Sequence, residues 1–214
     1  EILGIAAVEG NGQNEVAEMI AGLRPLQEGD VVLCGESIRG QTIRHIRESG
    51  VAHIPEDRNT FGSSGNSSVK ENLISDRYYK PQYAHNGFLN SQAINRHTDE
   101  LIQQYHIKCV GREELVRMLS GGNVQKGVVA REFSSGAKVV VVNQPTRGVD
   151  IGATEFIRNR LVGISRKEGA AVLLVSADLT ELLKVSDRLV VMYEGKIVAY
   201  FPDTEQLTDF EVGE

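Results

Sequence analysis

Two segments of the chain carry its strongest structural signal: LSGGNVQK at residues 119–126 and VVVVNQPTRGVD at residues 139–150. The second begins with four valines, and a short continuous apolar run is typical of a strand buried on both faces of a parallel sheet. In the first, Ser120 can cap the helix that follows, while Gly121 and Gly122 let backbone N–H groups approach a phosphate closely. Together they predict a buried strand and a helix start.

Other apolar runs extend this pattern toward both ends of the chain. Three have strand character, and they lie at residues 2–8, 171–175 and 189–192. Segments of helix length alternate with the runs, at residues 14–23, 122–133 and 154–167. This alternation predicts an α/β fold with a mostly parallel sheet flanked by helices.

The middle of the chain differs, because residues 63–118 are richer in polar residues and lack apolar runs of strand character. Within it, residues 91–105 have the spacing of a helix with Ser91 as its N-cap, and four apolar side chains share one side: Ile94, Leu101, Ile102 and Tyr105. We predict a helical insertion in an α/β core.

The predicted organisation is a single domain over residues 1–214. Its α/β core comprises residues 1–62 and 119–214, and its helical subdomain comprises residues 63–118. The chain starts in a strand-like run without an initiator methionine. We therefore expect it to be a fragment of a longer polypeptide.

Composition argues against several classes of function. A net charge of -6 and a pI near 5.5, without a cluster of lysine and arginine, predict that nucleic acid is not a partner. Cys34 and Cys109 lack C-x-x-C spacing, so we expect two reduced, packed thiols. The five histidines show no ligand spacing, and we predict no metal site in this chain.

A glycine-rich turn, AVEGNGQN at residues 7–14, follows the first apolar run. A strand, a glycine turn and a helix start wrap backbone N–H groups around phosphates. In the complete motif, G-x-x-x-x-G-K-S/T, Ala7 and Gly12 stand at the two glycine positions. Gln13 stands at the lysine position and Asn14 at the Ser/Thr position. Taken alone, the turn also fits an ordinary strand-to-helix connection.

The two segments quoted first resemble the ABC ATPase family when taken together. The family signature is LSGG, and its Walker B segment is four apolar residues followed by Asp-Glu-Pro-Thr and a Gly-hydrophobic-Asp turn, the D-loop. Residues 119–122 match the signature, and PTRGVD at 145–150 matches the turn. The likeness continues to SDRLVVMYEGKI at residues 186–197. It implies a P-loop NTPase-like ABC ATPase core with a helical insertion subdomain.

Further residues narrow the resemblance. LSGGN followed by Gln and Lys, PTRGVD, and PEDR at residues 55–58 look most like the second ATPase half of importers for simple sugars and nucleosides. Glu56 stands at the position of the Q-loop glutamine, which the resemblance makes a degenerate position of the chain's own site. The resemblance implies a second ABC ATPase half in the same polypeptide, transmembrane permease subunits, and a periplasmic or lipoprotein solute-binding protein. It also implies a peripheral location on the cytoplasmic face of the cell membrane.

Four positions that carry charge or catalysis in the family hold other residues here. Gln13 replaces the lysine on the β- and γ-phosphates, and Asn143 replaces the aspartate that holds magnesium. Gln144 replaces the glutamate that acts on the attacking water, and Ala177 replaces a histidine that contacts the γ-phosphate. A missing acid or base alone commonly reduces the rate by about 10²- to 10⁴-fold. We therefore expect no useful hydrolysis in this chain's own site.

Two sets of nucleotide contacts follow from the resemblance. In the chain's own site we expect ATP binding to be weak or absent, with no catalytic residue, through Gly10, Asn11, Gly12, Gln13, Asn14 and Asn143. In the family the signature faces the nucleotide of a second domain, which implies contacts in trans from Ser120, Gly121, Gly122, Asn123 and Asp150. Mg²⁺ is expected only at the partner's site.

Two other functions stay open. One is a non-transport regulatory or scaffolding pseudo-ATPase. It would be favoured if the neighbouring sequence encoded neither a second, complete ATPase half nor a membrane permease. The other is an autonomous ATPase with unconventional residues. ATP hydrolysis by the isolated chain at a rate unchanged by Gln144→Ala would favour that third function.

Overall fold

The computed structural model describes residues 1–204 and 207, so the predicted domain end at residue 214 lies outside the described residues. The chain divides into two compact units. The sheet unit comprises Glu1–Ile54, Ser135–Pro145 and the chain from Arg158 onward, and the helical unit comprises Pro55–Ser134 and Thr146–Ile157. The sequence-based division after residues 62 and 118 stays a prediction about domain organisation.

The secondary structure alternates along most of the described chain. The strands are β1 (Ile2–Ala6), β2 (Val32–Leu33), β3 (Glu36–Ser37), β4 (Val51–Ile54), β5 (Ala84–His85), β6 (Phe88–Leu89), β7 (Val139–Asn143), β8 (Ala171–Ser176), β9 (Arg188–Tyr193) and β10 (Lys196–Phe201). The α-helices are α1 (Gln13–Ile20), α2 (Ile43–Glu48), α3 (Val69–Ile74), α4 (Ser91–Gln104), α5 (Gly121–Phe133), α6 (Ile151–Arg166) and α7 (Leu179–Val185). Shorter helical turns lie at Arg58–Gly62 and Val116–Met118.

A six-stranded sheet forms the core of the sheet unit, in the order β10-β9-β1-β8-β7-β4. Neighbouring strands are parallel except for β10, which pairs with β9 in the antiparallel direction. Val140, Val141 and Val142 are all 0% exposed. Since successive strand residues point to opposite faces, both faces of β7 are covered. The predicted α/β fold with a mostly parallel sheet is therefore confirmed.

The carboxyl ends of three central strands lie side by side at one edge of this sheet. Ala6 at the end of β1 pairs with Ser176 at the end of β8, and Asn143 at the end of β7 pairs with Val175. In open α/β sheets, ligands bind outside the carboxyl ends of the strands. The loops after β1, β7 and β8 therefore frame the first candidate site.

The helical unit contains α3, α4 and α5, and polar side chains mark where two of them begin. Ser68 and Glu71 form a reciprocal capping box at the start of α3. At the start of α4, the Asn90 side chain accepts a hydrogen bond from the Ala93 N–H at 3.1 Å. The prediction of Ser91 as the cap was wrong by one residue, because Asn90 supplies the oxygen that the helix start requires.

A small β-hairpin lies in the polar middle segment, which the sequence predicts to be a helical insertion. It consists of β5 and β6, and Asn86 and Gly87 form its turn with φ values of 50° and 84°. An Asn-Gly pair is the strongest short-range hairpin signal, because both central residues of the tight turn need positive φ. The segment is thus helical with an added two-stranded hairpin.

Candidate functional site

The glycine turn after β1 presents the start of α1 without a side-chain cap. Gly10 and Gly12 have φ values of 91° and 96°, in the left-handed region that favours glycine. Gly12 is the N-cap residue of α1, and its position carries no side-chain hydrogen bond. The first N–H groups of a helix lack intrahelical acceptors and attract anions. The turn therefore keeps the backbone chemistry of a phosphate site.

Two side chains of this turn fold back onto its own backbone. Gln13 is 3% exposed, and its Nε2 donates to the Val8 carbonyl at 3.2 Å, where Asn11 Nδ2 also donates at 2.9 Å. Asn11 Oδ1 accepts from the Glu194 N–H at 2.8 Å, which ties the turn to the β9–β10 connection. Within the described residues, Gln13 Oε1 is buried without a hydrogen-bond partner. The lysine position thus holds a neutral, inward-facing amide.

A second amide pair closes the other side of the turn. Asn143, at the end of β7 and 4% exposed, donates from Nδ2 to Asn14 Oδ1 at 2.8 Å. Asn143 Oδ1 is buried and has no hydrogen-bond partner in the described part of the chain. These are the positions where the resemblance places magnesium ligands. Mg²⁺ in nucleotide sites is held by carboxylates and phosphates, so a neutral amide pair bonded to itself does not fit that ion.

Gln144 and Ala177 meet across the carboxyl ends of β7 and β8. Gln144 has a φ of 48°, and its N–H donates to the Val175 carbonyl at 2.8 Å. Its Oε1 accepts from the Ala177 N–H at 3.3 Å. Beside them, Ser176 Oγ donates to the buried Glu181 carboxylate at 2.8 Å. The sheet unit therefore holds the residues predicted for the chain's own site apart from Glu56.

The second candidate site lies in the helical unit, at the start of α5. Ser120 is the N-cap residue, but its side chain makes no capping hydrogen bond to the helix backbone, so the predicted capping role of its hydroxyl was wrong. Instead, Asn123 Nδ2 donates to Ser120 Oγ at 2.8 Å. The Lys108 N–H donates to Asn123 Oδ1 at 2.9 Å. Because Ser120 is exposed, its hydroxyl is accessible to a ligand.

Asp150 lies against this helix start. Its Oδ1 accepts from the Ala153 N–H at 2.9 Å, which helps to explain why α6 begins before the predicted residue 154. A Cβ built on Gly122 would lie 2.6 Å from Asp150 Oδ2, so the glycine gives the carboxylate room. The hydrogen bond from Ala153 holds the pKa of Asp150 below its ordinary value, with a smaller contribution from Lys126. The carboxylate is therefore charged at neutral pH.

Arg58 is a site residue that the sequence analysis did not identify. Its Nη1 donates to the Arg147 carbonyl at 2.7 Å, and its Nη2 donates to the Gly148 carbonyl at 3.1 Å. A Cβ built on Gly121 would lie 2.8 Å from Arg58 Nη2. The guanidinium thus holds the turn after β7 and covers the first glycine of the helix start. The PEDR segment was the available signal, but it did not indicate these contacts.

Glu56, predicted at the Q-loop position, forms an ion pair with Arg147 within the helical unit. It therefore shares its environment with Arg58, which binds the carbonyl of the same arginine. The predicted residues consequently form two groups. The sheet unit holds those of the chain's own site except Glu56. The helical unit holds Glu56 together with the residues predicted to act in trans, Ser120, Gly121, Gly122, Asn123 and Asp150.

Three further observations concern membrane spans, metal sites and the two cysteines. Within residues 1–204 and 207, no helix is long and apolar enough to cross a membrane. The same residues include no group of three or more His, Cys, Asp and Glu side chains that could hold a metal ion. Cys109 is partly buried, but Cys34 is exposed in the β2–β3 turn with a φ of 51°, so the prediction that both thiols are packed was wrong for Cys34.

Comparisons with known proteins show the family and the fold of this chain. A family model described as ABC transporter matches residues 1–147. The nucleoside import ATP-binding protein NupA of Lactococcus lactis subsp. cremoris (strain MG1363) is 42% identical over 197 residues, 92% of this chain and 39% of its own length. The guanosine import ATP-binding protein NupO of Bacillus subtilis (strain 168) is 39% identical over 213 residues, 100% of this chain and 41% of its own length. The chain spans about two-fifths of the length of these relatives.

Solved structures share the fold at lower identity. The dimeric post-hydrolysis ATP-binding cassette MJ0796 bound to ADP and Pi aligns with a TM-score of 0.82 and 17% identity, over 97% of this chain and 87% of that chain. A nucleotide-free ATP-binding cassette from an ABC transporter aligns with a TM-score of 0.75 and 20% identity, over 94% and 79%. Since the family model matches more than half of the chain, the chain belongs to the ABC transporter family, as an ATP-binding domain homologous to sugar and nucleoside import ATP-binding proteins.

Proposed function

We propose that this chain is the second ATPase half of an importer for simple sugars or nucleosides. In this proposal its own site does not hydrolyse ATP, and its signature loop completes the active site of a first ATPase half in the same polypeptide. The observation that carries the proposal is a contrast in chemistry. The loops at the sheet edge hold neutral amides bonded to the protein, whereas the start of α5 keeps an exposed hydroxyl and two glycines.

Two properties of the amides support the proposal that the chain's own site is inactive: they carry no charge, and they are already hydrogen-bonded to the protein. Gln13, Asn143 and Gln144 supply neither a fixed cation for phosphate nor a carboxylate for magnesium or water. Each amide already takes part in a hydrogen bond to a protein group. Ala177 carries no side chain that could reach a γ-phosphate. Mg²⁺ therefore belongs to the partner's site in this proposal.

The signature loop supports a role in trans because its ligand-facing chemistry is intact. A helix start with glycines and a hydroxyl offers donors to the phosphates of a nucleotide. Within the helical unit, Arg58 lies against Gly121 and Asp150 lies against Gly122. The names of the relatives NupA and NupO support a nucleoside as the transported solute. Other relatives are named glucose and ribose import ATP-binding proteins, which supports a sugar as the alternative solute. The resemblance to importers of this kind leads us to propose permease subunits and a solute-binding protein as partners, and the cytoplasmic face of the membrane as the location.

Substitutions on the two sites test this division in the full-length protein assembled with its permease. We expect Ser120→Arg to abolish ATP hydrolysis coupled to transport, because the arginine would fill the space of the phosphate. Gln13→Ala should leave the rate nearly unchanged. The opposite pattern would contradict the proposal. If the rate of ATP hydrolysis by the full-length protein were the same with either substitution as without it, a regulatory or scaffolding pseudo-ATPase would be the better assignment.

The chain's own site keeps the uncapped start of α1, which supports weak nucleotide binding without magnesium. Calorimetric titration of the chain with ATP, with and without Mg²⁺, measures this property. The expected result is weak binding that magnesium does not strengthen. Absence of heat in both titrations would remove nucleotide binding from the proposal and leave the signature loop as the functional part.

A further inference from the structure

We propose that Asn123 is a positioning residue that holds the Ser120 hydroxyl as a hydrogen-bond acceptor, so that its single proton is left to donate to a phosphate oxygen. The inference rests on the proposed function, since it requires the start of α5 to meet a nucleotide. The inference goes beyond the proposed function because it assigns to Asn123 the orientation of the Ser120 hydroxyl, a role that does not require Asn123 to contact the nucleotide.

The orientation of the Asn123 amide follows from a donor that has no alternative role. The Lys108 backbone N–H can only donate, and it lies 2.9 Å from Asn123 Oδ1. The oxygen end of the amide therefore faces Lys108. The nitrogen end, Nδ2, consequently faces Ser120 Oγ at 2.8 Å. The chemistry of the neighbours thus distinguishes the oxygen from the nitrogen of this amide.

The direction of the Ser120 hydroxyl follows from the same reasoning. An amide nitrogen is a donor only, so Ser120 Oγ must accept from Asn123 and its own proton must point elsewhere. The hydroxyl does not accept from the helix backbone either. The N–H groups of Asn123 and Val124 donate instead to the Ser120 carbonyl, at 2.9 and 3.0 Å.

This arrangement suits a phosphate, which offers only acceptors. The hydroxyl proton lies at an exposed helix start, where the helix dipole favours an anion. A hydroxyl whose proton is excluded from the direction of Asn123 has fewer rotational states, so it loses less freedom on binding than a free hydroxyl does. Asn123 therefore prepares Ser120 as a donor before the nucleotide arrives.

A double-mutant cycle in the full-length protein with its permease tests the coupling through kcat and KM for ATP. Ser120→Ala should lower kcat by about ten- to one-hundred-fold, the effect of losing a hydrogen bond to a charged group. Asn123→Ala should lower kcat by a smaller factor, with a smaller change in KM. In the Ser120→Ala background, Asn123→Ala should have no further effect. An equal factor in both backgrounds would overturn the inference.

Asn123→Asp gives a second test that preserves the local fold. The aspartate keeps an oxygen for the Lys108 N–H but presents a second acceptor to Ser120, whose proton then turns away from the phosphate. We expect a rate at or below that of Ser120→Ala. Asn66→Asp, at an exposed asparagine in the same unit, is the matched charge control and should keep the unsubstituted rate. A normal rate for Asn123→Asp would refute the positioning role.

The same variants separate a failure of this inference from a failure of the proposed function. If Ser120→Ala keeps the full rate, the start of α5 does not serve an active site, and both proposals fall. If Ser120→Ala loses activity while both Asn123 variants keep it, only the positioning role falls. Thermal unfolding of each variant identifies any loss of rate that comes from unfolding. If Asn123→Ala proves to be unfolded, the cycle is evaluated with Asn123→Asp in its place.

Discussion

Asn143 and Asn14 form a direct amide-to-amide hydrogen bond of 2.8 Å although they are 129 residues apart in the chain. The bond joins the end of β7 to the start of α1 within the sheet unit. Asn143 is nearly fully buried, so its Nδ2 needs an acceptor, and here the acceptor belongs to another neutral amide. The pair therefore contributes to the stability of the unit in the absence of a ligand.

Asn14→Ala should destabilise the sheet unit, because it leaves the buried Nδ2 of Asn143 without its acceptor. We expect the free energy of unfolding to fall by about 1–3 kcal/mol, measured by urea denaturation of the chain. Asn143→Ala alone and the double variant complete the cycle. The double variant should lose less than the sum of the single variants, and additive losses would contradict the pairing.

Gln13→Lys should change stability and nucleotide affinity in opposite directions. The lysine would place a cation in a position that is 3% exposed, beside neutral amides, so the unfolding free energy of the free chain should fall by more than about 1 kcal/mol. The added charge should tighten ATP binding about tenfold in calorimetric titration. Gln13→Met, neutral and of similar length, is the control. An equal gain in affinity from methionine would exclude charge as the cause.

Gly121→Ala should be destabilising only while Arg58 is present. The new Cβ would lie 2.8 Å from Arg58 Nη2, so the guanidinium must shift, and weakening its hydrogen bonds to the Arg147 and Gly148 carbonyls should cost about 0.5–1.5 kcal/mol. In an Arg58→Ala background the cost should nearly disappear. Gly127→Ala, in the same helix with no atom within 4 Å of its added Cβ, should stabilise the chain by about 0.5–1 kcal/mol. Equal losses for Gly121→Ala in both backgrounds would refute the contact.

Asp150 should titrate below the ordinary aspartate pKa of about 3.9, because the Ala153 N–H stabilises its carboxylate. A lowered pKa in the folded chain contributes stability above the unfolded value, and this contribution disappears as the pH falls through the folded value. An NMR titration measures the pKa, and Asp150→Asn assigns the resonance. The lowering should largely persist in about 1 M NaCl, which screens the Lys126 charge but not the hydrogen bond. A return to the ordinary pKa in salt would point to charge instead.

The sheet was predictable from sequence because a strand that is buried on both faces has a continuous run of apolar residues. Four consecutive valines in β7 have no polar residue between them, and the structure buries three of them completely. The short hairpin was equally accessible, since Asn86 and Gly87 carry its turn signal. It was missed because its strands are only two residues long and have no apolar run.

The contacts of Arg58 and of the Asn14–Asn143 pair were not predictable in the same way. Arg58 binds carbonyls 89 and 90 residues later in the chain, and those acceptors are backbone atoms that any residue would supply. Sequence patterns report periodicity and motif spacing, whereas such contacts depend on how the chain folds back on itself. The positions of Gln13 and Asn143 were identified from sequence, but their hydrogen-bond partners required coordinates.

The hydrogen bonds that close the glycine turn make it a site that is already occupied by its own side chains. Asn11 and Gln13 saturate the Val8 carbonyl, and Asn14 takes the donor of Asn143. An incoming ligand that used these amides would exchange one set of hydrogen bonds for another. Its binding free energy would then be the small difference between the hydrogen bonds that it gains and those that the side chains lose. The side chains of the turn would therefore compete with any ligand that binds there.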